Sequence, residues 1–417
     1  MSVINRDLKT SRDRRLMLFD LALGGHHGNY ICYLVDYWCE HNLPGYLDIV
    51  VVPKFKLFHA DVVETIAHYR HPKIKLIEIE KSEVAALNSR ASATSRIARN
   101  LQEWELYCRY ALLRRATHSL LMYLDTSEIP LTIGRSSPCP FSGIYFRPTF
   151  HYGNFTNYQP LWKERLQQIR ERFTLSRILA HPQSSNIFCL DPFAVQDLNV
   201  TFQTNKVAYL ADPVEVERFR QPEIHPLKLA IEPGRLVFLL FGALDGRKGI
   251  YQLLEALNNL SADLCRRVCL LLVGGTNAAE QAQIEAKLDR VRQNKPLQAI
   301  ARYEFVSERE VTAYFQLADV ILAPYQKHVG MSGILLLAAA ANKPVLSSDY
   351  GLMGKVVQRY QLGLSVDSTN PGEIARGLTQ FLTQPANNYS DRQKMQTLVE
   401  QHSTKNYAET IFSHLDY

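Results

Sequence analysis

The stretch Arg235-Leu-Val-Phe-Leu-Leu-Phe-Gly-Ala-Leu-Asp-Gly-Arg-Lys-Gly249 runs from an unbroken apolar segment into a glycine-rich, basic turn, and a helical pattern follows from Gly249 to Leu260. A segment apolar at every position suits a strand covered on both faces, as in parallel sheets packed between helices. The same alternation continues outward from it. Val268 to Val273, Arg302 to Phe305, Val320 to Ala323 and Pro344 to Ser348 read as strands, and Ala278 to Arg292, Glu308 to Leu317 and Gly333 to Ala341 read as helices between them. Strand and helix in alternation predict a doubly wound α/β unit.

Toward the N-terminus the pattern returns. Leu16 to Asp20 reads as a strand, Leu23-Gly-Gly-His-His-Gly-Asn29 as a turn and Tyr30 to His41 as a helix, followed by a strand at Leu47 to Val52. Further strands are expected at Lys73 to Ile79, Ser119 to Leu124, Phe141 to Phe146, Asn186 to Leu190 and Val207 to Leu210, with a long helix from about Thr94 to Ala116. Between the halves, Asp212 to Gly234 carries Pro213, Pro222, Pro226 and Pro233 among many charges. Neither strand nor helix period survives there, which predicts a linker. The expected organisation is therefore a first domain over 1–212, a linker over 213–234, a second domain over 235–390, and a helical tail over 391–417.

Composition narrows the function classes. The chain has 417 residues, a net charge of +6, and seven cysteines without a C-x-x-C pair. That argues against a zinc ribbon or a disulfide framework and points to a reducing compartment. The positive balance is mild, so nucleic acid is not an expected partner, whereas an anionic ligand or membrane surface is compatible with it. The N-terminus lacks the apolar core of a signal peptide, and no run of about 18 apolar residues could span a bilayer. A cytoplasmic location follows as the expectation, with peripheral contact at the inner face of a membrane through six arginines between Arg90 and Arg115. An ordinary helix with one solvated face is the competing reading of those arginines. Neither half contains G-x-G-x-x-G, so a nicotinamide cofactor is not expected.

In open α/β sheets ligands bind outside the carboxyl ends of the strands. The loop Gly242 to Gly249 combines glycines with Arg247 and Lys248 at a helix start, a suitable seat for a diphosphate. A solvated basic turn explains it equally well. Gly330, Ser332, Gly333 and Ile334 open the Leu- and Ala-rich helix, where free amides favour a phosphate, although Ser332 also suits a plain N-cap. In the first half, Gly24, Gly25, His26 and His27 form a turn in which a histidine could contact a ligand or accept a proton. With no acidic or cysteine ligand beside them in the sequence, a metal is not expected there.

Taken in order, these loops resemble the GT-B glycosyltransferases, particularly the family 4, or group 1, retaining type. Phe305 to Pro324 is similar to that family's base-binding loop, helix and following strand. Ser332-Gly333 through Lys343-Pro-Val-Leu-Ser-Ser-Asp-Tyr-Gly351 is similar to its donor loop, helix and strand, and Phe241 to Gly249 to its diphosphate loop. The first half is similar only in strand order and in its glycine-rich first loop. The resemblance implies two Rossmann-like domains facing a cleft and a nucleotide-diphosphate sugar as donor substrate, with no further cofactor and no metal. It implies a carbohydrate or lipid-linked acceptor, and a terminal helix returning to the first domain.

Carried onto this sequence, the resemblance makes Arg247 and Lys248 the charges that meet the leaving diphosphate. Gly242, Gly246, Gly330, Ser332, Gly333 and Ile334 become donor contacts, and Val306 and Ser307 the seat of the base. Gly24, Gly25, His26 and Asp125 fall on the acceptor side, with His27 as the catalytic histidine. Two departures stand out. Aligned on Lys343-Pro344-Val345, the family's pair of glutamates falls on Gly330 and Ala338, and the arginine of its diphosphate loop falls on Ala243. The loss of both carboxylates keeps a second function in view, a catalytically silent scaffold that binds a partner or glycan.

Overall fold

The computed structural model describes residues 14–23, 27–89, 91–146, 148–154, 160, 162–215, 219, 229–304, 306–328 and 330–415. They fall into two compact units, Met1–His151 with Pro160–Pro213 and Thr404–Tyr417, and Tyr152–Gln159 with Val214–Ser403.

The first unit is built on strands β1 (Arg15–Asp20), β2 (Tyr46–Val51), β3 (Ile74–Glu78), β4 (His118–Leu121), β5 (Phe141–Tyr145), β6 (Ser184–Cys189) and β7 (Val207–Tyr209). All pair in parallel, in the order β3-β2-β1-β4-β5-β6-β7. Leu18 of β1 lies in register with Ile49 on one side and Leu120 on the other, and all three are fully buried. Each such side chain contributes roughly 1.5–3 kcal/mol of transfer free energy. The order reverses between β1 and β4, which opens a crevice at the carboxyl ends of those two strands.

The second unit contains β8 (Leu236–Phe241), β9 (Val268–Val273), β10 (Gln298–Arg302), β11 (Val320–Ala323), β12 (Val345–Ser348) and β13 (Gly363–Val366). They are parallel in the order β10-β9-β8-β11-β12-β13. Renumbered from β8, this is 3-2-1-4-5-6, the order of dinucleotide-binding sheets, and its reversal falls between β8 and β11. β8 is central, which explains why it is apolar throughout. The architecture is the α/β one expected, two doubly wound parallel sheets.

Three details correct the sequence reading. The third strand of the second unit is Gln298–Arg302, not Arg302 to Phe305, because Ala299 to Arg302 pair with Leu270 to Val273 of β9. The tail from 391 is not one long helix. It breaks at His402-Ser403 between helices Arg392–Gln401 and Thr404–His414, and the first belongs to the second unit. A parallel bridge from Val214 to Ser403 holds the break. Of the predicted linker, 216–218 and 220–228 lie outside the described residues, and the unit boundary falls at Pro213.

Three arginines in or just after the arginine-rich helix, Ala93–Leu113, pair with described carboxylates. Arg99 bonds Glu103 at 2.7 Å, Arg109 bonds Glu83 at 2.6 Å, and Arg114, just past the helix, bonds the fully buried Asp48 at 3.0 Å. Arg15 adds a second bond to Asp48 at 2.9 Å. A buried carboxylate needs such partners, so Arg99 and Arg114 are engaged by described carboxylates, while Arg96 and Arg115 are exposed. Arg90 lies outside the described residues.

Gly249 is where the first turn of the second unit meets β11. Its φ is +76°, and a Cβ there would lie 1.9 Å from the Pro324 carbonyl oxygen. Gly249→Ala should therefore destabilise the second unit by about 2 kcal/mol or more. Thermal unfolding of the purified variant would show this as a lowered midpoint, and an unchanged midpoint would contradict it.

Candidate functional site

The loops after β8 and β11 flank the reversal in strand order. Lys248 lies in a short 3-10 turn, Gly246–Lys248, whose start is capped by the Asp245 carboxylate. Its ammonium turns back into the turn, donating to the Phe241 carbonyl at 3.1 Å and to the Tyr325 hydroxyl, and sits 4.3 Å from the Tyr325 ring centroid. Ser332 Oγ donates to the same hydroxyl at 3.1 Å. With both acceptor positions of its oxygen used, Tyr325 keeps its own O–H as a donor. Ser332 stands at the N-cap of helix Gly333–Ala340 yet makes no side-chain cap bond. The first amides of that helix, at Gly333 and Ile334, are thus left without a side-chain cap. Gly330 and the half-buried His328 belong to the same loop, and the His328 ring packs edge-on against Tyr325 at 5.4 Å.

The electrostatics follow from burial. Desolvation, reinforced by the neighbouring Arg247 and opposed by Asp245, brings the Lys248 ammonium down to about 8. It is still mainly charged at pH 7. Burial pushes the Tyr325 phenol up to about 12, so it remains a donor. Burial, opposed by a bond to the Met331 carbonyl and reinforced by Arg247 and Lys248, lowers the His328 imidazole below its ordinary value. Arg247 is half exposed, 3.7 Å from the Asp245 carboxylate.

The structure thus brings Gly242, Arg247, Lys248, Ser332, Gly333 and Ile334 to one edge of the sheet. Other expected donor contacts are spent elsewhere. The Gly246 amide donates to Glu280 at 2.7 Å. Ser307 is the N-cap of helix Glu308–Leu317 in a reciprocal capping box with Glu310, which takes both its amide and its hydroxyl. Val306 is buried, and Phe305 is outside the described residues. Tyr325 was missed by the sequence reading, as were Ser368, which donates to the Tyr325 carbonyl at 2.7 Å, and Gln326, whose amide donates to the Arg247 carbonyl at 2.9 Å. The one available signal was position, directly after the strand at the reversal.

The first unit has a site at the corresponding place. Gly24, Gly25 and His26 lie outside the described residues. His27 opens helix His27–Glu40, and its Nδ1 lies 2.7 Å from Oδ2 of Asp20, the buried last residue of β1. Asp20 Oδ1 accepts the Ala22 amide at 2.8 Å, which fixes the carboxylate. Gly28 permits the helix to start against His59, since a Cβ there would lie 2.1 Å from its ring. His59 in turn lies 3.1 Å from the Leu23 carbonyl. Burial lowers the His27 imidazole, but the hydrogen bond and charge of Asp20 outweigh it and raise the group above its ordinary value. A cavity of about 300 Å³ opens beside Asp20, lined by Leu21, Leu23 and Leu121 together with Arg99, Tyr123 and Ser127. Asp125 takes the role of a local brace, with its Oδ2 accepting the Phe146 amide at 3.1 Å. Among the described residues no group of three His, Cys, Asp or Glu side chains could hold a metal ion.

This pair of sheets is the GT-B architecture. Residues 222–401, which fall in the second unit, match the model of the glycosyl transferases group 1 family. The whole chain is similar in fold to sucrose-phosphate synthase from Thermosynechococcus elongatus (TM-score 0.65, 14% identity, 96% of this chain and 98% of that one). It is also similar to the UDP-forming α,α-trehalose-phosphate synthase from Burkholderia vietnamiensis (TM-score 0.64, 12% identity, 96% and 99%). Anabaena HepE, solved with UDP and glucose, matches at TM-score 0.59 and 11% identity over 96% and 98%. No curated protein matches the sequence.

Proposed function

We propose that this chain moves a sugar from a nucleotide-diphosphate donor to a hydroxyl-bearing carbohydrate or lipid-linked acceptor, with retention at the anomeric carbon and without a metal ion. The observation that carries the reading is the meeting of two loops at one phenol. Lys248 and Ser332, from either side of the strand reversal, both donate to Tyr325. The diphosphate would sit there, meeting Arg247, the remaining Lys248 proton, the Tyr325 hydroxyl and the amides of Gly333 and Ile334.

As the acceptor oxygen bonds to the anomeric carbon, the bond from that carbon to the phosphate oxygen breaks and its electron pair stays on the diphosphate. Fixed donors aimed at that developing charge usually supply the largest part of the acceleration. The acceptor proton passes to His27 Nε2, which is free to receive it when Asp20 holds the proton on Nδ1. The cavity beside Asp20, lined by both apolar and polar side chains, is where the acceptor would lie. Gly330 and Ala338 supply no carboxylate where the resembling family has its glutamates, so ribose and donor sugar must be held by other groups.

The test is turnover of a panel of sugar nucleotides, UDP-linked sugars first because HepE was solved with UDP, read as release of nucleoside diphosphate. The anomeric configuration of the product would be assigned by NMR, and the reaction repeated with a chelator. No release from any donor would sink the reading, and inversion or loss with chelator would sink the finer part. Tyr325→Phe keeps the ring under Lys248 but removes the shared oxygen. It should weaken nucleotide diphosphate affinity about tenfold, read by calorimetry, with the unfolding midpoint little changed. An unchanged affinity would place the phosphates elsewhere.

A further inference from the structure

Helix Trp162–Leu179 buries one face, with Glu171, Thr174, Leu175, Ile178 and Leu179 packed inward. Its opposite face is also apolar. Trp162, Leu166, Ile169 and Phe173 follow at helical spacing and are 67%, 57%, 67% and 60% exposed. At 100° per residue the four fall within a narrow stripe pointing away from the buried face. Arg165 and Arg172 border the stripe on one side, and Lys163, Arg170 and Arg177 on the other. All five are exposed, and none forms an ion pair with a described carboxylate in the structure. The two glutamates of the helix, Glu164 and Glu171, fall on the inward side. Ile133, 60% exposed, continues the stripe beyond Arg177, which reaches the adjoining Thr132 carbonyl at 3.4 Å.

We propose that this face docks the protein on an anionic lipid bilayer, with the four apolar side chains entering the acyl boundary and the five cations meeting lipid phosphates. An apolar stripe with a border of Lys and Arg on each side has the build of a helix lying in a membrane interface. The charges select the occupant. A second copy of this face would set cation against cation along both borders, which disfavours pairing. A negatively charged surface complements both borders at once. No described helix is long and apolar enough to cross a membrane, so contact through this helix is interfacial. This surface is separate from the Arg90 to Arg115 segment, where Arg99, Arg109 and Arg114 pair with described carboxylates.

The test uses the full chain and vesicles of phosphatidylcholine alone or mixed equally with phosphatidylglycerol. Of the three tryptophans, Trp38 and Trp104 are buried, which makes Trp162 the natural reporter. On anionic vesicles the emission should shift to the blue, brominated lipid should quench it, and added salt should weaken binding. Ile169→Asn with Phe173→Asn should lower partitioning by about tenfold or more. Arg165→Gln with Arg172→Gln should lower it by about tenfold on anionic vesicles. Circular dichroism would verify that each variant folds. Three outcomes would overturn the proposal: no blue shift, equal binding to neutral vesicles, or a vesicle-free dimer that the asparagine variant abolishes.

Discussion

Replacing Lys248 by Met should lower kcat/KM for donor turnover by roughly 10²–10³-fold, with the loss concentrated in kcat. Methionine has a comparable length and fills the space beside the Tyr325 ring, so the unfolding midpoint should rise or hold, since a buried ammonium is removed. The same lysine imposes a pH dependence. Its ammonium is held near 8 by burial, and the charged form is the one that attracts phosphate. Nucleotide diphosphate affinity should thus be level below neutrality and fall as pH rises through about 8, and this alkaline limb should vanish in Lys248→Met. Lys248→Arg should not rescue activity, because a planar fork does not fit a site shaped for a compact ammonium. A Met variant with wild-type turnover would remove Lys248 from the chemistry.

The second large effect is expected at Asp20 and His27. His27→Ala should reduce kcat by roughly 10²–10⁴-fold, the usual range for losing a proton acceptor. Asp20 acts as a positioning residue, and Asp20→Asn should reduce kcat by roughly a hundredfold or more. The signature that distinguishes a catalytic dyad from a structural pair is the acid limb of the rate profile. His27 must be neutral to accept a proton, and Asp20 raises its pKa above the ordinary histidine value, so wild-type activity should climb with pH through a midpoint above about 6.5. In Asp20→Asn, burial acts unopposed and the limb should move to lower pH. For stability the sign is opposite. The Asp20–His27 pair contributes most below the unfolded histidine pKa, and that contribution fades as pH rises through the raised folded value. An acid limb at the same pH in both proteins would show that Asp20 does not act through His27.

Much of the fold could be read from the chain because parallel strands buried on both faces leave continuous apolar runs, as in Leu236 to Phe241. The boundary strand Gln298–Arg302 was misplaced because it is only half buried and carries polar residues at both ends. The break at His402-Ser403 depends on a bridge to Val214, a pairing between distant residues that local periodicity does not carry. The loops at Arg247-Lys248 and Ser332-Gly333 were legible from glycine and charge, but not their meeting at Tyr325, 77 positions from Lys248 in the chain. Nor could local composition reveal that Glu280 takes the Gly246 amide or that Glu310 takes the Ser307 amide. Asp20 escaped notice as the last residue of a strand, although its place before the Gly24 to Gly28 turn pointed to the His27 contact. The Trp162–Leu179 helix escaped for a different reason. Apolar residues on opposite faces cancel the one-sided pattern by which amphipathic helices are recognised.

The most direct test is a calorimetric titration of the full chain with UDP, GDP and ADP, in parallel for wild type, Lys248→Met and Tyr325→Phe. The expected result is that at least one nucleotide binds wild type at a single site, that both variants weaken it by about tenfold or more, and that wild-type affinity declines above about pH 8. Absence of binding at millimolar nucleotide, or binding that neither substitution disturbs, would contradict a diphosphate site at the junction of the Lys248 and Ser332 loops.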